Sequence, residues 1–181
     1  AVRLIADHDP TTPLFLYLAF TAPHAPYQAP QSEIDRYQHI GDPSRRTYAA
    51  MITAMDTQIG RVLAALERRG DLENTLILFT ADHGDMTGDH HLWRKTYAYE
   101  GSARIPMIVR CPAGWTTAPA GTRLDHPVEL RDVLPTFLDA AGVTNAPAMD
   151  GASLLRLARD PKADWRPWID LEHCRCYAES H

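Results

Sequence analysis

Hydrophobic and polar positions divide this chain into three apolar runs and one long periodic stretch. The continuous runs at residues 14–20, 76–79 and 105–109 have the pattern of strands buried on both faces. From Tyr48 to Leu66 apolar residues recur in steps of three and four, which predicts an amphipathic helix over residues 44–69. The short connection from this helix to the run at 76–79 predicts the αβ half of a parallel-sheet unit, and so an α/β fold.

Turn residues set the expected ends of these elements. Ser44 follows a proline and is predicted to cap the long helix, which Gly70 ends. A second helix is predicted over residues 128–141, with Gly142 after it, and a short third one over residues 151–158. Residues 165–171 are predicted to begin another strand.

Polar residues follow two of the predicted strands directly. Asp82 and His83 come after the run at 76–79, and His24 comes after the run at 14–20 between two prolines. In open α/β sheets, ligands bind beyond the carboxyl ends of strands. A carboxylate beside an imidazole suits a divalent metal, and Lys95 offers a cation for an anionic substrate. A solvated polar loop after a core strand is the alternative for Asp82 and His83, and simple exposure is the alternative for His24.

Composition excludes several functional classes. A net charge of −5 spread along 181 residues leaves no basic patch, so nucleic acid is not an expected partner. No apolar run approaches the roughly 18 residues that cross a membrane, so a membrane is not expected either. Three cysteines form no disulfide framework; this favours a reducing compartment such as the cytoplasm, with a periplasmic or secreted location left open. A homo-oligomer is also left open.

Several separated motifs occur together in one order. They are Ala22-Pro-His24-x-Pro26, Met55-Asp56 with Ile59-Gly60, Thr80-Ala-Asp82-His83-Gly84-Asp85, Gly88-Asp89-His90-x-Leu92-x-x-Lys95, and Tyr99-Glu-Gly-Ser-x-Arg104-x-Pro106. In this order the chain resembles the sulfatase branch of the alkaline phosphatase superfamily. The resemblance is nearest to bacterial arylsulfatases, choline sulfatases and phosphonate monoester hydrolases. It implies an incomplete alkaline-phosphatase-like α/β fold, with a mostly parallel sheet flanked by helices.

The resemblance implies roles for four residues. Asp82 and His83 correspond to the second pair of metal ligands, and the imidazole shifts the expected metal from calcium towards manganese or zinc without excluding calcium. His24 corresponds to the histidine that contacts the sulfuryl or phosphoryl group and protonates the leaving oxygen. Lys95 corresponds to the lysine that binds a peripheral oxygen. The implied substrate is a small anionic sulfate, phosphonate or phosphate ester.

The chain departs from the family pattern at its nucleophile. Family members carry two adjacent Asp ligands and then Cys/Ser-x-Pro-x-Arg, whose Cys or Ser becomes formylglycine. Neither motif is in this sequence, and the residues after Cys111 do not match. The expectation is therefore a carboxyl-side part of the catalytic domain at residues 1–165, then the start of an antiparallel subdomain at 166–181. This chain alone is expected to be inactive.

Two rival interpretations follow from the same departures. One is a non-catalytic scaffold that keeps the fold and a weak metal site. The other is a superfamily phosphodiesterase or phosphomutase with an unmodified Thr or Ser nucleophile, against which His24 and Lys95 argue.

Overall fold

Residues 1–95 and 97–171 are described by the structure, a computed structural model. The chain divides into two units, Ala1–Glu73 and the part that begins at Asn74. No helix in the described residues combines the length and the apolar character needed to span a membrane.

The first unit is helical and is built on one long helix. Its helices are α1 (Val2–Asp7), α2 (Gln31–Ile34), which runs into a 3-10 turn at Asp35–Tyr37, and α3 (Pro43–Arg69). Buried apolar side chains of α1 and α3 form its core: Ile5, Ala50, Met51, Ala65 and Leu66. Arg69 at the end of α3 donates hydrogen bonds to the carbonyls of Ile5 and His8, and so holds the end of α1.

The ends of α3 follow from local chemistry. The N-cap is Asp42, whose carboxylate accepts the N–H of Arg45 at 2.8 Å, so the prediction that Ser44 is the cap is wrong. Pro43 occupies the first helical turn, where its missing N–H costs nothing, and this moves the cap to the residue before it. Gly70 ends the helix as predicted, with a left-handed φ of 80°.

The apolar run at residues 14–20 forms no strand in this structure. Its side chains are largely exposed, with Tyr17 82% exposed. A strand needs a partner for its backbone groups, and the other described elements of the first unit are all helical. The prediction of a buried strand here is therefore wrong.

The described residues of the second unit form a small sheet and three short helices. A 3-10 turn at Leu72–Asn74 precedes strand β1 (Ile77–Thr80), and strand β2 (Met107–Arg110) pairs with it. Between them lie a 3-10 turn at Asp89–His91 and α4 (Glu100–Ala103); beyond β2 come a 3-10 turn at Leu130–Asp132, α5 (Val133–Ala140) and α6 (Leu155–Arg159). Gly142 follows α5 with a φ of 69°, as predicted.

The pairing of β1 with β2 is antiparallel, with Ile77 opposite Arg110 and Thr80 opposite Met107. The sequence predicted a mostly parallel sheet. A parallel pair needs a crossover, usually a helix, whereas the helical segments described between the two strands, in residues 81–95 and 97–106, are only three and four residues long. No strand occurs at residues 165–171, and residues 172–181 of the predicted subdomain lie outside the described residues.

A buried polar cluster holds α5 and α6 in the second unit. Asp132 is fully buried; its carboxylate accepts bonds from the N–H groups of Glu129 and Ala152 and from the guanidinium of Arg166. The hydroxyl of Thr136 accepts the N–H of Leu154 at 2.8 Å. All of these buried groups are paired, which is the condition under which burying them is tolerated.

Candidate active site

β1 carries the first two candidate residues to its carboxyl end. The strand ends at Thr80, and Asp82 and His83 follow within three residues. The next N–H, that of Gly84, donates to the carbonyl of Ser102 at 2.7 Å and fixes the direction of the turn. The predicted position of Asp82 and His83 at a strand end is confirmed.

Three of the four predicted site residues meet at this turn. The Nζ of Lys95 lies 2.8 Å from the Nε2 of His83, and an Oδ2 of Asp82 lies 3.3 Å from the same nitrogen. Asp82 is 83% exposed at its side chain, whereas His83 is 27% exposed. The imidazole is therefore the fixed group of the three, with an exposed carboxylate and an exposed ammonium beside it.

Hydrogen bonding assigns the tautomer of His83. Its Nδ1 lies 2.6 Å from the carbonyl oxygen of Gly84. A carbonyl oxygen only accepts, so Nδ1 carries the proton and donates. Nε2 is then the atom with the free lone pair in the neutral ring, and it accepts from the ammonium of Lys95. Orienting one ring nitrogen by a backbone carbonyl is the usual way to present the other to a metal.

Asp82 and His83 fit part of a metal site. Two ligand atoms that each lie about 2.1 Å from a zinc ion are about 3.0–3.4 Å from each other. The Oδ2 of Asp82 and the Nε2 of His83 are 3.3 Å apart. Within residues 1–95 and 97–171 there is no group of three or more His, Cys, Asp or Glu side chains that could hold a metal. The pair could therefore supply two ligands of a site and not all of it. The lone pair on Nε2 can bind a metal or accept a hydrogen bond from Lys95, but it cannot do both at once.

Between Gly84 and Lys95 the chain makes a tight excursion with an unusual backbone. Four residues other than glycine have left-handed φ angles of 48° to 68°: Thr87, His90, His91 and Arg94. The ring of His90 stacks on that of Tyr99 at 4.3 Å between centroids. Met86 is 1% exposed and anchors the excursion in the interior. Backbone strain of this kind persists only where surrounding contacts impose it.

His24 lies in the first unit. It is exposed, and its Nδ1 lies 2.7 Å from the carbonyl oxygen of Ala25. As in His83, Nδ1 therefore donates, and Nε2 is left as the ring nitrogen that could exchange a proton with a ligand. The strand expected before His24 is absent, so the turn between Pro23 and Pro26 is what fixes the ring.

Sequence reasoning assigned no role to Asp85 or Gly101, which both shape this site. The Oδ1 of Asp85 accepts the N–H groups of Thr87 and Arg94 at 2.8 and 3.0 Å. A Cβ at Gly84 would collide with the carbonyl of Gly101. The bond to Thr87 is a local pattern that an Asp in a Gly-rich loop could have indicated. The bond to Arg94 and the approach to Gly101 depend on tertiary structure.

Cys111 does not have the environment of an activated nucleophile. It is half-buried, and burial raises the pKa of its thiol. The positive charge of Arg159 acts to lower this pKa, but the effect of burial is larger. A raised pKa keeps the thiol protonated and unreactive near neutral pH. This agrees with the mismatch of the sequence after Cys111 to the family's nucleophile motif.

Comparison with known proteins decides the family. A family model described as sulfatase matches residues 1–143. The chain belongs to the sulfatase family. The arylsulfatase of Clostridium perfringens is 33% identical over 96% of this chain and 43% of that protein. The choline-sulfatase of Rhizobium meliloti is 34% identical over 82% of this chain and 36% of that protein.

Solved structures agree with the sulfatase assignment. The phosphonate monoester hydrolase from Silicibacter pomeroyi superposes with a TM-score of 0.62 at 39% identity, covering 68% of this chain and 24% of that one. The resemblance stated from the motifs and the α/β class of the fold are thus confirmed. This sulfatase chain spans less than half the length of each of these three relatives.

Proposed function

We propose that this sulfatase chain takes part in metal-dependent hydrolysis of a sulfate ester, or of a phosphonate or phosphate ester, and supplies two metal ligands and the leaving-group side of the site. The observation that supports it best is the contact of Lys95 Nζ with His83 Nε2 at 2.8 Å, with Asp82 beside it at the end of β1. A cation and a pair of metal-ligand side chains at one strand end match the chemistry of an anionic ester.

Asp82 and His83 are the residues that would hold the metal. A bound divalent ion, calcium, manganese or zinc, would polarise an ester oxygen. The carbonyl of Gly84 keeps His83 in the tautomer whose Nε2 can act as a ligand. Lys95 would move from Nε2 to an oxygen of the substrate when that nitrogen is taken, and its ammonium would offset negative charge there.

Lys95 and His24 would act where negative charge develops on the leaving oxygen. A cation or a proton donor at that point stabilises the transition state more than the ground state. His24 has the hydrogen-bond arrangement for proton transfer, since Nδ1 donates to the carbonyl of Ala25 and leaves Nε2 as the other ring nitrogen of an exposed side chain. We infer its role from the motif and from this local geometry.

The nucleophile in this proposal is a formylglycine hydrate. No Cys or Ser in the 181 residues begins a Cys/Ser-x-Pro-x-Arg sequence, so the group would come from sequence outside this chain. The 181-residue chain alone should then have no turnover. Robust hydrolysis of an aryl sulfate by it would contradict this part of the proposal.

The test of the site uses the protein encoded by the complete reading frame that contains these residues. Lys95→Ala should lower kcat for 4-nitrophenyl sulfate by about 10²- to 10³-fold, the usual effect of removing one charge-stabilising donor. The chain has one other lysine, Lys162, and Lys162→Ala is the matched control that should retain activity. An effect of Lys95→Ala equal to that of the control would refute the assignment. An intact reading frame that hydrolyses neither sulfate nor phosphonate esters would favour the scaffold interpretation.

His24 is tested by varying the leaving group. His24→Ala should lower kcat by about 10²-fold or more for a phenyl ester, whose leaving oxygen needs a proton. The loss should be much smaller for a 4-nitrophenyl ester, whose leaving group departs as the anion. Equal losses with both esters would show that His24 is not the proton donor.

The metal ligands are tested by elemental analysis of the same protein. His83→Asn replaces a borderline nitrogen ligand with an oxygen ligand and should shift metal content from manganese or zinc towards calcium. An unchanged metal pattern would refute a ligand role for His83.

A further inference from the structure

An excursion of the chain leaves the active site at Asp85 and returns to it at Arg94. One carboxylate closes this excursion, since Oδ1 of Asp85 accepts the N–H of Thr87 at 2.8 Å and that of Arg94 at 3.0 Å. The second bond joins residues nine positions apart. Hydrogen bonds that a carboxylate accepts from backbone N–H groups are stronger than hydrogen bonds between neutral groups. Asp85 is therefore well suited to hold the two ends together.

Two backbone bonds continue the closure along the excursion. The N–H of Met86 donates to the carbonyl of Arg94 at 2.9 Å, and that of Gly88 donates to the carbonyl of Leu92 at 2.8 Å. The same stretch contains four left-handed non-glycine residues, including Thr87 and Arg94 themselves. Their local preference opposes this path, so the path depends on the bonds that close it.

The position of Asp85 connects this closure to Lys95. His83 is two residues before Asp85, and Lys95 directly follows Arg94. The bond from Arg94 to Asp85 therefore keeps Lys95 close to His83 along the chain path, and the Nζ of Lys95 lies 2.8 Å from the Nε2 of His83. Lys95 is exposed, and a long exposed side chain has little else to fix where its ammonium lies.

We propose that Asp85 is a positioning residue that holds Lys95 at the active site by closing residues 85–94 into a fixed loop. The effect of Asp85 on catalysis rests on the proposed role of Lys95, whereas its effect on the structure of residues 85–94 does not. Asp85 acts through the backbone, so what it needs is an acceptor oxygen and not a negative charge in contact with substrate.

The first test is a double-mutant cycle in the protein encoded by the complete reading frame. Asp85→Ala should lower kcat for an aryl sulfate by about 10-fold or more, approaching the loss in Lys95→Ala. Added to Lys95→Ala it should have almost no further effect, because its influence passes through that side chain. Asp85→Asn should restore most of the rate, since one amide oxygen can accept both N–H groups. Glu100→Ala, which breaks an exposed ion pair with Arg104 nearby, is the control and should keep full activity.

The second test needs no turnover. Lys95 and Lys162 are the two lysines of this chain, so competitive amine labelling of the metal-free protein reports Lys95 against an internal standard. Asp85→Ala should raise the labelling of Lys95 relative to Lys162 about fivefold, the factor expected for loss of one hydrogen bond, and Asp85→Asn should not. Asp85→Glu, which keeps the charge but moves the oxygen by one carbon, should behave as Asp85→Ala does and serves if the alanine variant does not fold.

The outcomes separate the two proposals. An unchanged labelling ratio in both Asp85→Ala and Asp85→Glu would overturn the positioning role. Multiplicative losses in the double mutant, or failure of Asp85→Asn to rescue, would overturn it as well. If Lys95→Ala does not lower activity, the proposed function of Lys95 fails, while the labelling ratio still decides whether Asp85 holds it.

Discussion

Gly84, in the turn that follows β1, has no room for a side chain. Its N–H bonds the carbonyl of Ser102, and its α-carbon faces the carbonyl of Gly101 with no room for a side chain. The restriction comes from close approach of two backbone segments and not from an unusual φ angle, since Gly84 is not among the left-handed glycines.

We expect Gly84→Ala to destabilise the turn. The added Cβ meets backbone, which cannot move aside as a flexible side chain would, so the free energy of unfolding should fall by about 1–3 kcal/mol. Urea unfolding measures the change. Gly41→Ala is the control, because its Cβ would have no atom within 4 Å and the backbone φ there is not left-handed. A Gly84→Ala protein as stable as this control would contradict the close approach.

Residue-scale chemistry also explains what the two histidines have in common. In His24 and His83 alike, Nδ1 donates to the carbonyl of the following residue. Identical local bonding makes Nε2 the nitrogen with the lone pair in both neutral rings; in His83 this nitrogen accepts from Lys95. The sequence places a histidine before a turn at each position, but only the structure shows which nitrogen each ring presents.

At the scale of elements, α5 and α6 are joined by a carboxylate. Asp139 near the end of α5 accepts the hydroxyl of Ser153 at 2.6 Å and the guanidinium of Arg159 of α6 at 3.0 Å. Burial acts to raise the pKa of Asp139, but the bonds from Ser153 and Arg159 outweigh it, and the pKa lies below its ordinary value of 3.8. The ionised carboxylate is therefore favoured by the folded state.

The depressed pKa gives Arg159→Ala a pH-dependent effect. A carboxyl group with a lower pKa in the folded state stabilises the protein above the unfolded pKa, and this contribution is lost as the pH falls through the folded pKa. With Arg159 half-exposed, the variant should lose only about 0.5 kcal/mol near neutral pH. That loss should shrink below pH 3.8 as Asp139 takes up its proton.

Urea unfolding as a function of pH measures this linkage. In an Asp139→Asn background, Arg159→Ala should cost less near neutral pH, and its cost should no longer vary with pH. A loss that stays constant down to about pH 3 in the wild-type background would show that the ion pair does not lower the pKa of Asp139.

Elements differed in how far the sequence determined them. The long helix α3 was predicted to within one residue, because a periodic apolar stripe and a terminal glycine are local signals. The N-cap of α3 was predicted at Ser44, whereas it is Asp42, two positions earlier. The run at residues 14–20 has the composition of a strand, but strand formation requires a hydrogen-bonded neighbour, which composition cannot supply.

At the scale of the whole molecule, much apolar side-chain surface is exposed. Tyr17 is 82% exposed, Ile108 of β2 60% and Trp168 68%. Exposed apolar residues that follow one another, as in the run at residues 14–20 that contains Tyr17, are characteristic of surfaces that associate with other surfaces. The fact that the chain spans less than half the length of its relatives is consistent with such contacts in longer family members.

We expect the 181-residue chain to self-associate in solution, with Tyr17 contributing. Tyr17→Lys removes an exposed aromatic ring and adds a charge, so it should shift sedimentation-velocity profiles towards monomer at a given concentration. Gln28→Lys adds the same charge at an exposed polar position and is the matched control. Equal profiles for both variants would attribute the effect to charge alone.

The sequence by itself determined the family, the position of Asp82 and His83 after a strand, and the long helix α3, because motifs, periodicity and turn residues are local properties. Only the tertiary structure decided that β1 and β2 run antiparallel and that Lys95 reaches His83. It also decided that Asp85 bonds the backbone nine residues away. These are contacts between distant positions, and their geometry depends on how the intervening chain closes, which no local pattern encodes.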